Sequence, residues 1–351
     1  MPALVRRRTL LLLGVGATVL PTTAAWTNRT DRQALPIRVA VGNRASFQFR
    51  HLPLDIAQQL GFFAPEGANV VVQHHASDTA ALRAMEAGLA DVCAVDFEQL
   101  LRKPEAIDAG ARCFVLQTRT PQAALGVSLH QLPDLKSLTD LKPGSTVGVC
   151  ALGSLSHTMA SLALEQAGVA TNAISFVAVG DEAGARTALL AGHVQALCHG
   201  DPLMAQLQQQ NKLRIVTDAR TLAGTRALFG GPVLGGCLVA SAAMLHERAM
   251  DVQAVAHGVV RALKWLQTAA ADDIVKVMPN TRPGKERSMT LAAFARMRET
   301  FSPDGNMPFA GTGTALRSLK ATHAVAASEL ELPKVAVLHT FARKAKLKFS
   351  A

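Results

Sequence analysis

Short apolar runs alternate with amphipathic segments closed by glycine, twice over, and this rhythm constrains the fold more than any other feature of the chain. Residues 37–41, 70–73 and 92–95 read as strands. Between them, 53–60 and 79–87 read as helices closed by Gly61 and Gly88. Strands separated by helices of this length indicate a parallel sheet with helices on its faces. The pattern then changes character over 119–145, which holds Pro121, Pro133 and Pro143-Gly144 around a strand-like 125–129. It restarts with strands at 146–150, 174–179, 194–198 and 213–217 and helices at 156–167, 182–191 and 202–210. The two halves share a detail. Met85-Glu86-Ala87-Gly88-Leu89-Ala90-Asp91-Val92 parallels Leu190-Ala191-Gly192-His193-Val194-Gln195-Ala196: a helix, a glycine C-cap, a short strand. The chain therefore carries two α/β units in tandem. Beyond Gly230-Gly231-Pro232 and Gly235-Gly236, residues 238–241 read as a strand and everything from Met244 onward as helical. The longest amphipathic stretch, 252–269, places Val255, Val259, Ala262, Leu263 and Leu266 on one face. The first unit's sheet is the natural place to bury it.

A chain of 351 residues is long enough for two cores. With 49% hydrophobic and 18% charged residues it is globular rather than disordered. It contains no tyrosine, which excludes a site built on tyrosine stacking. The net charge of +10 is spread along the chain. Only Arg343-Lys344-Ala345-Lys346-Leu347-Lys348 is dense, and it reads as a solvated end. No helix-turn-helix pattern accompanies the charge, so nucleic acid is not an expected partner. The five cysteines are odd in number, widely spaced and set in apolar stretches, the pattern of buried free thiols. His74-His75 has no third ligand at metal spacing, so neither metal nor cofactor is expected. At the N-terminus, Arg6-Arg7-Arg8 precede an apolar run over 10–20, then Pro21 and Thr23-Ala24-Ala25. The run is shorter than the roughly 20 residues that span a bilayer. The layout is that of an export signal over 1–25, cleaved after Ala25, and Arg7-Arg8-Thr9-Leu10-Leu11 resembles a twin-arginine signal.

Several motifs occur in the order found in one family. Residues 54–70 contain Leu60-Gly61-Phe62-Phe63-Ala64-Pro65-Glu66-Gly67; residues 84–92 contain Ala84-Met85-Glu86-Ala87-Gly88 and Asp91-Val92. Leu138-Thr139-Asp140-Leu141-Lys142-Pro143-Gly144 leads into Val147-Gly148-Val149, and 189–197 leads to Asp201-Pro202. In this the chain resembles the periplasmic substrate-binding proteins of ABC importers for nitrate, sulfonate, taurine and thiamine precursors, from about Ile37 to the C-terminus. Two positions depart from the pattern: Gln195 replaces an acidic residue, and Asp201-Pro202 replaces Glu-Pro. The resemblance implies two doubly wound α/β lobes joined by two crossover strands, the type II periplasmic binding protein fold. Lobe 1 would take 36–120 and 228–351, lobe 2 121–227. It also implies a monomeric, non-enzymatic periplasmic receptor that hands its solute to permease subunits. The alternatives are a sensory subunit working without a permease, and an enzyme on the same scaffold.

Ligands of open α/β sheets bind beyond the carboxyl ends of the strands, so the loops there supply the candidate site. After the first strand, Asn43 is placed to hydrogen-bond the solute and Phe47 or Phe49 to wall it. Whether Arg44, Arg50 or Arg119 enters the cleft stays open. After the second strand, Ser77, Asp78 and Thr79 open a helix whose N–H groups suit an anion. Gly153, Ser154, Ser156 and His157 combine close backbone approach, hydroxyls and another helix start. Gly180 repeats that arrangement, and Asp96 and Asp201 also follow strands. Facing helix starts suggest a small anionic solute such as a sulfonate or carboxylate.

Overall fold

The structure, a computed structural model, describes residues 35–42, 49–135, 137–278, 285–322 and 335–351. Asn43, Arg44 and Phe47 of the expected site, and the expected export signal, lie outside the described residues. The strands are β1 (Ile37–Gly42), β2 (Val70–His75), β3 (Val92–Asp96), β4 (Arg112–Leu116), β5 (Ala123–Ser128), β6 (Thr146–Val149), β7 (Ser175–Ala178), β8 (Ala196–Gly200), β9 (Leu213–Asp218) and β10 (Gly236–Ala240). They form two five-stranded sheets, β2-β1-β3-β10-β4 and β7-β6-β8-β5-β9. Each sheet is the core of one lobe.

Neither sheet is wholly parallel, which corrects the expectation from the strand–helix rhythm. In the first, β1 pairs in parallel with β2 and β3, but β10 runs antiparallel between β3 and β4. In the second, β5 is inserted antiparallel between β8 and β9. The inverted strand in each sheet is the one that arrives from the other lobe: the chain crosses once between β4 and β5 and again between β9 and β10. A crossing strand enters its sheet from the opposite end, and so its direction reverses.

Helices cover both faces of each sheet. In the first lobe these are α1 (Leu52–Gln59), α2 (Asp78–Glu86), α3 (Phe97–Leu101) and α4 (Pro104–Asp108). The second holds α5 (Leu155–Gln166), α6 (Glu182–Leu190), α7 (Leu203–Gln209) and α8 (Leu222–Phe229). The C-terminal part adds α9 (Ala242–Glu247), α10 (Ala249–Thr268), α11 (Ala271–Val277), α12 (Lys285–Met297), α13 (Phe309–Ala321) and α14 (Thr340–Phe349). Strand alternation sorts side chains between the layers. Ile37, Val39 and Val41 pack with Val255, Val259 and Leu263 of α10, while Ala40, Cys93 and Val95 pack with Leu82 of α2 and Leu100 of α3. The second sheet does the same. Leu125 and Cys198 join Met159 on one side; Ala124 and Leu197 join Leu203 and Leu207 on the other. All five cysteines are buried free thiols. Among the described residues no helix is long and apolar enough to cross a membrane.

One glycine sets the fit of the first lobe's strand ends. A Cβ on Gly42, the last residue of β1, would stand 2.5 Å from Asp78 Cα and 2.6 Å from its backbone nitrogen. The start of α2 is therefore packed directly against the end of β1. Gly42→Ala is expected to lower unfolding free energy by about 1–3 kcal/mol, the usual cost of forcing an atom into a packed site. Urea denaturation measures it, and an unchanged midpoint would contradict this packing.

Candidate functional site

The carboxyl ends of the two sheets face each other, and the polar residues between them come from loops that the strand order delivers there. In the first lobe the centre is Arg50. Its Nη1 lies 3.2 Å from Asp78 Oδ2 and 3.0 Å from Asp96 Oδ2, with all three side chains at most 2% exposed. The Asp96 backbone N–H donates to Asp78 Oδ2 at 3.2 Å. One guanidinium thus joins the loop after β1, the start of α2 and the end of β3. Gly236 of β10 leaves room for it, since a Cβ there would fall 2.7 Å from Arg50 Cγ. Burial holds the Asp96 carboxyl well above the usual carboxylate range; Arg50 opposes this, and Asp78 and Glu98 add to it.

The second lobe presents Cys150, Gly180, His199 and the loop 151–157. The charges of Arg50, Asp96 and Asp78 are felt at the Cys150 thiol, and that of Arg50 at the His199 ring, so the strand ends of the two sheets lie close together. Burial pushes the Cys150 thiol up to about 12 and lowers His199. His199 Nδ1 stands 3.3 Å from Gly200 O.

Contacts across the cleft concentrate where α3 meets α5. Gln99 Nε2 donates to Gly153 O at 2.5 Å, and Arg102 Nη2 to Thr158 Oγ1 at 3.0 Å. The Thr158 hydroxyl donates in turn to Glu98 Oε2 at 2.9 Å. Thr79 Oγ1 donates to Gln99 Oε1 at 3.4 Å and links α2 to this clasp. Burial pushes the Glu98 carboxyl up to about 7, against the opposing pull of Arg102 and the Thr158 hydrogen bond. A second set of contacts lies on the other flank. Asp201 Oδ1 accepts from Arg220 Nη1 at 2.9 Å and from the Ala205 N–H at 3.0 Å, and its Oδ2 is 3.5 Å from Arg296 of α12. Arg220 also forks onto both oxygens of Asp218.

Several expected site residues have local duties. Ser77 caps α2, accepting from the Ala80 N–H at 3.1 Å. Ser156 Oγ accepts from the Cys150 N–H at 3.1 Å, and Ser154 Oγ donates to Ala151 O at 2.6 Å. His157 Nδ1 accepts from the Gly153 N–H at 2.9 Å, and its ring lies 4.5 Å from that of Phe176. Burial and the nearby Arg102 charge lower its pKa, so it is neutral rather than a source of positive charge. Phe49, expected to wall the pocket, is instead a core residue, 1% exposed and 6.4 Å from the Phe294 ring. Arg119 of the crossover donates to Glu299 O at 2.6 Å. Sequence reasoning missed Glu98, Gln99, Arg102 and Thr158. Their one signal was position, just beyond β3 and at the first turn of α5.

Facing strand ends, two crossings and an interlobe polar layer define the type II periplasmic binding protein fold. The NMT1/THI5-like family model matches residues 48–271, and the chain belongs to that family. A solved protein of Bordetella bronchiseptica RB50 is 35% identical, with 90% of this chain and 98% of that one covered, at a TM-score of 0.80. The periplasmic nitrate-binding protein NrtA of Synechocystis PCC 6803 is 14% identical over 90% of this chain and 89% of its own, TM-score 0.68. The alkanesulfonate-binding protein SsuA of Xanthomonas axonopodis pv. citri, bound to MOPS, is 17% identical over 88% and 97%, TM-score 0.64. Among curated proteins none matches the chain.

The raised Glu98 carboxyl has a signed consequence. Native Glu98 keeps its proton up to about pH 7, whereas the unfolded chain releases it near 4.5. The native state binds more protons in that window, so stability is full below it and falls as pH rises through it. Glu98→Gln removes this contribution while still accepting from Thr158. In urea melts at about pH 5 and about pH 8, the wild type should lose more stability on going to the higher pH than Glu98→Gln. Equal losses would contradict the burial of this group.

Proposed function

We propose that this protein is an exported solute-binding receptor of an ABC importer, capturing a small organic solute between its lobes and presenting it to permease subunits in the inner membrane. The observation that carries this reading is the clasp from Glu98, Gln99 and Arg102 to Gly153 and Thr158, which ties one lobe to the other beside the strand ends. The proposed division into lobe 1 (36–120 and 228–351) and lobe 2 (121–227) has its boundaries in the two crossings, and Leu228, Phe229 and Val233, just past the second boundary, still pack into the second lobe's core. Each lobe has its own apolar core, and the described contacts at the clasp are hydrogen bonds; one apolar contact crosses at the end of α13, where Ala321 packs on the second lobe's core. Such an interface opens and closes without disturbing either core, and a solute touching both lobes shifts the balance toward the closed form.

The N-terminal pattern over 1–25 supports export to the periplasm, and the fold shared with nitrate- and sulfonate-binding proteins supports the importer partner. A monomer without cofactor suffices for this work. An enzymatic role has little to draw on in this cleft: the Cys150 thiol sits far from thiolate formation, and the Ser154 and Ser156 hydroxyls are engaged with backbone beside them. Sensory use without a permease would be decided by the partner recovered with the protein from membranes.

Two measurements test the reading. Protein recovered from the periplasm should release a stoichiometric small molecule on denaturation, and this molecule, added back at about 100 times its dissociation constant, should stabilise the fold by about 2.7 kcal/mol. Recovery of protein that neither carries nor responds to any small molecule would contradict receptor function. Thr158→Val removes the acceptor of Arg102 and the donor to Glu98. A hydrogen bond is worth about 1 kcal/mol net, so affinity should fall about fivefold or more and the radius of gyration in X-ray scattering should rise.

A further inference from the structure

The contact between α3 and α5 runs through one hydroxyl. Thr158 Oγ1 accepts from Arg102 Nη2 at 3.0 Å and donates to Glu98 Oε2 at 2.9 Å. A side chain of the second lobe thus stands between two side chains of the first. Arg102, the C-cap of α3, follows Glu98 by four positions. That is the spacing and order at which a glutamate and an arginine pair along one helix face. Here each keeps a buried atom without a hydrogen-bond partner, Glu98 Oε1 and Arg102 Nε. One is an acceptor and the other a donor, so each is what the other lacks. Buried polar atoms in native proteins are almost always satisfied. With Thr158 withdrawn, these two can satisfy one another.

Withdrawal would change the carboxyl's surroundings as well as its partner. Glu98 is 1% exposed with the lobes together, and α5 of the other lobe is part of its cover. α3 packs against α2, α4, β3 and α13, with α5 across the cleft. The charged and titratable groups of these elements are Asp78, Arg83 and Glu86 on α2, Lys103, Glu105 and Asp108 at α4, and Asp96 on β3. On α13 they are Arg317 and Lys320, and on α5 His157 and Glu165. Among the described residues the one charge that acts on Glu98 is Arg102, which opposes the effect of burial. The proton on Glu98 is therefore set by burial, which opening relieves, and by Arg102, whose hold opening strengthens.

We propose that Thr158 is a wedge that couples the lobes to a proton: closure inserts its hydroxyl between Glu98 and Arg102, and opening lets those two pair directly along α3 as carboxylate and guanidinium, releasing the Glu98 proton to water. This rests on the two-lobe receptor reading above and adds a pH switch to it. The closed form keeps the proton up to about pH 7, and the open form gives it up at or below the ordinary 4.5. Closure is favoured fully below the lower value, loses ground as pH rises between the two, and levels off above the higher one. An acid medium tightens capture, and a neutral one eases release.

The test uses the full-length exported protein without added solute, spin-labelled at Leu89→Cys and Leu190→Cys, exposed positions one on each lobe. Pulsed electron–electron resonance is recorded at about pH 5, 6, 7 and 8. The ratio of short to long distances should fall about tenfold or more over that range and level off near the top of it. In Glu98→Gln, which cannot ionise, the ratio should not change with pH. Thr158→Val should hold the long distance at every pH, and Thr158→Ser, which keeps the hydroxyl, should restore the response. These two variants decide if Glu98→Gln fails to fold. One unchanging distribution in the wild type, or the same pH response in Glu98→Gln, would overturn the coupling. Either result leaves the receptor reading standing, because the bound small molecule tests that reading separately.

Discussion

The cleft side of the first lobe is organised around one buried guanidinium. Arg50 draws three separate chain segments to a point, because a cation taken out of water must be met by counter-charges. Asp78 answers from the start of α2 and Asp96 from the end of β3. Two glycines, Gly42 and Gly236, clear the space those segments need. The ends of β1, β2 and β3 are therefore fixed relative to one another by charge and by contact at the same place. A buried triad of this kind contributes little net stability, since desolvation offsets most of the attraction, but it fixes geometry. Fixed geometry is what a recognition surface requires.

Beyond that point the two lobes differ in how they are bound within and between themselves. Inside each lobe a sheet lies between apolar layers, packed from residues with almost no exposure. Between them, α3 and α5 meet through an amide, a guanidinium, a carboxyl and a hydroxyl. Apolar packing resists gradual deformation, whereas a few hydrogen bonds exchange readily with water at small net cost. This contrast suits the proposed movement of the two lobes as rigid bodies, which modest differential contact with a solute would bias.

Much of the fold was legible because its signals are local. Glycine caps at Gly61, Gly88, Gly168 and Gly192 ended the helices where the structure ends them, each with positive φ. What escaped were elements without periodicity: the five-residue edge strand β4, which pairs with β10, and the short α3, whose residues are all buried. Sheet direction also escaped, because strand–helix rhythm does not record which strand has crossed from the other lobe. The loops after the strands do hold polar residues that the fold brings together, Asp78 and Asp96 among them. Their coupling through Arg50 was not legible, and neither was the Thr158–Glu98 bond, which joins residues 60 positions apart. Hydroxyls and rings that look available in a sequence, Ser154, Ser156, His157 and Phe49, are occupied by neighbours that only folding supplies.

The claim that closure of two rigid lobes captures the solute is open to a distance measurement. Leu89 and Leu190 flank the equivalent glycine caps of the two repeats and are exposed. The native thiols are buried, so Leu89→Cys and Leu190→Cys accept spin labels selectively. Pulsed electron–electron resonance between them should give a distribution that shifts and narrows when the small molecule released from the native protein is added back. Identical distributions with and without it would contradict capture by hinge motion.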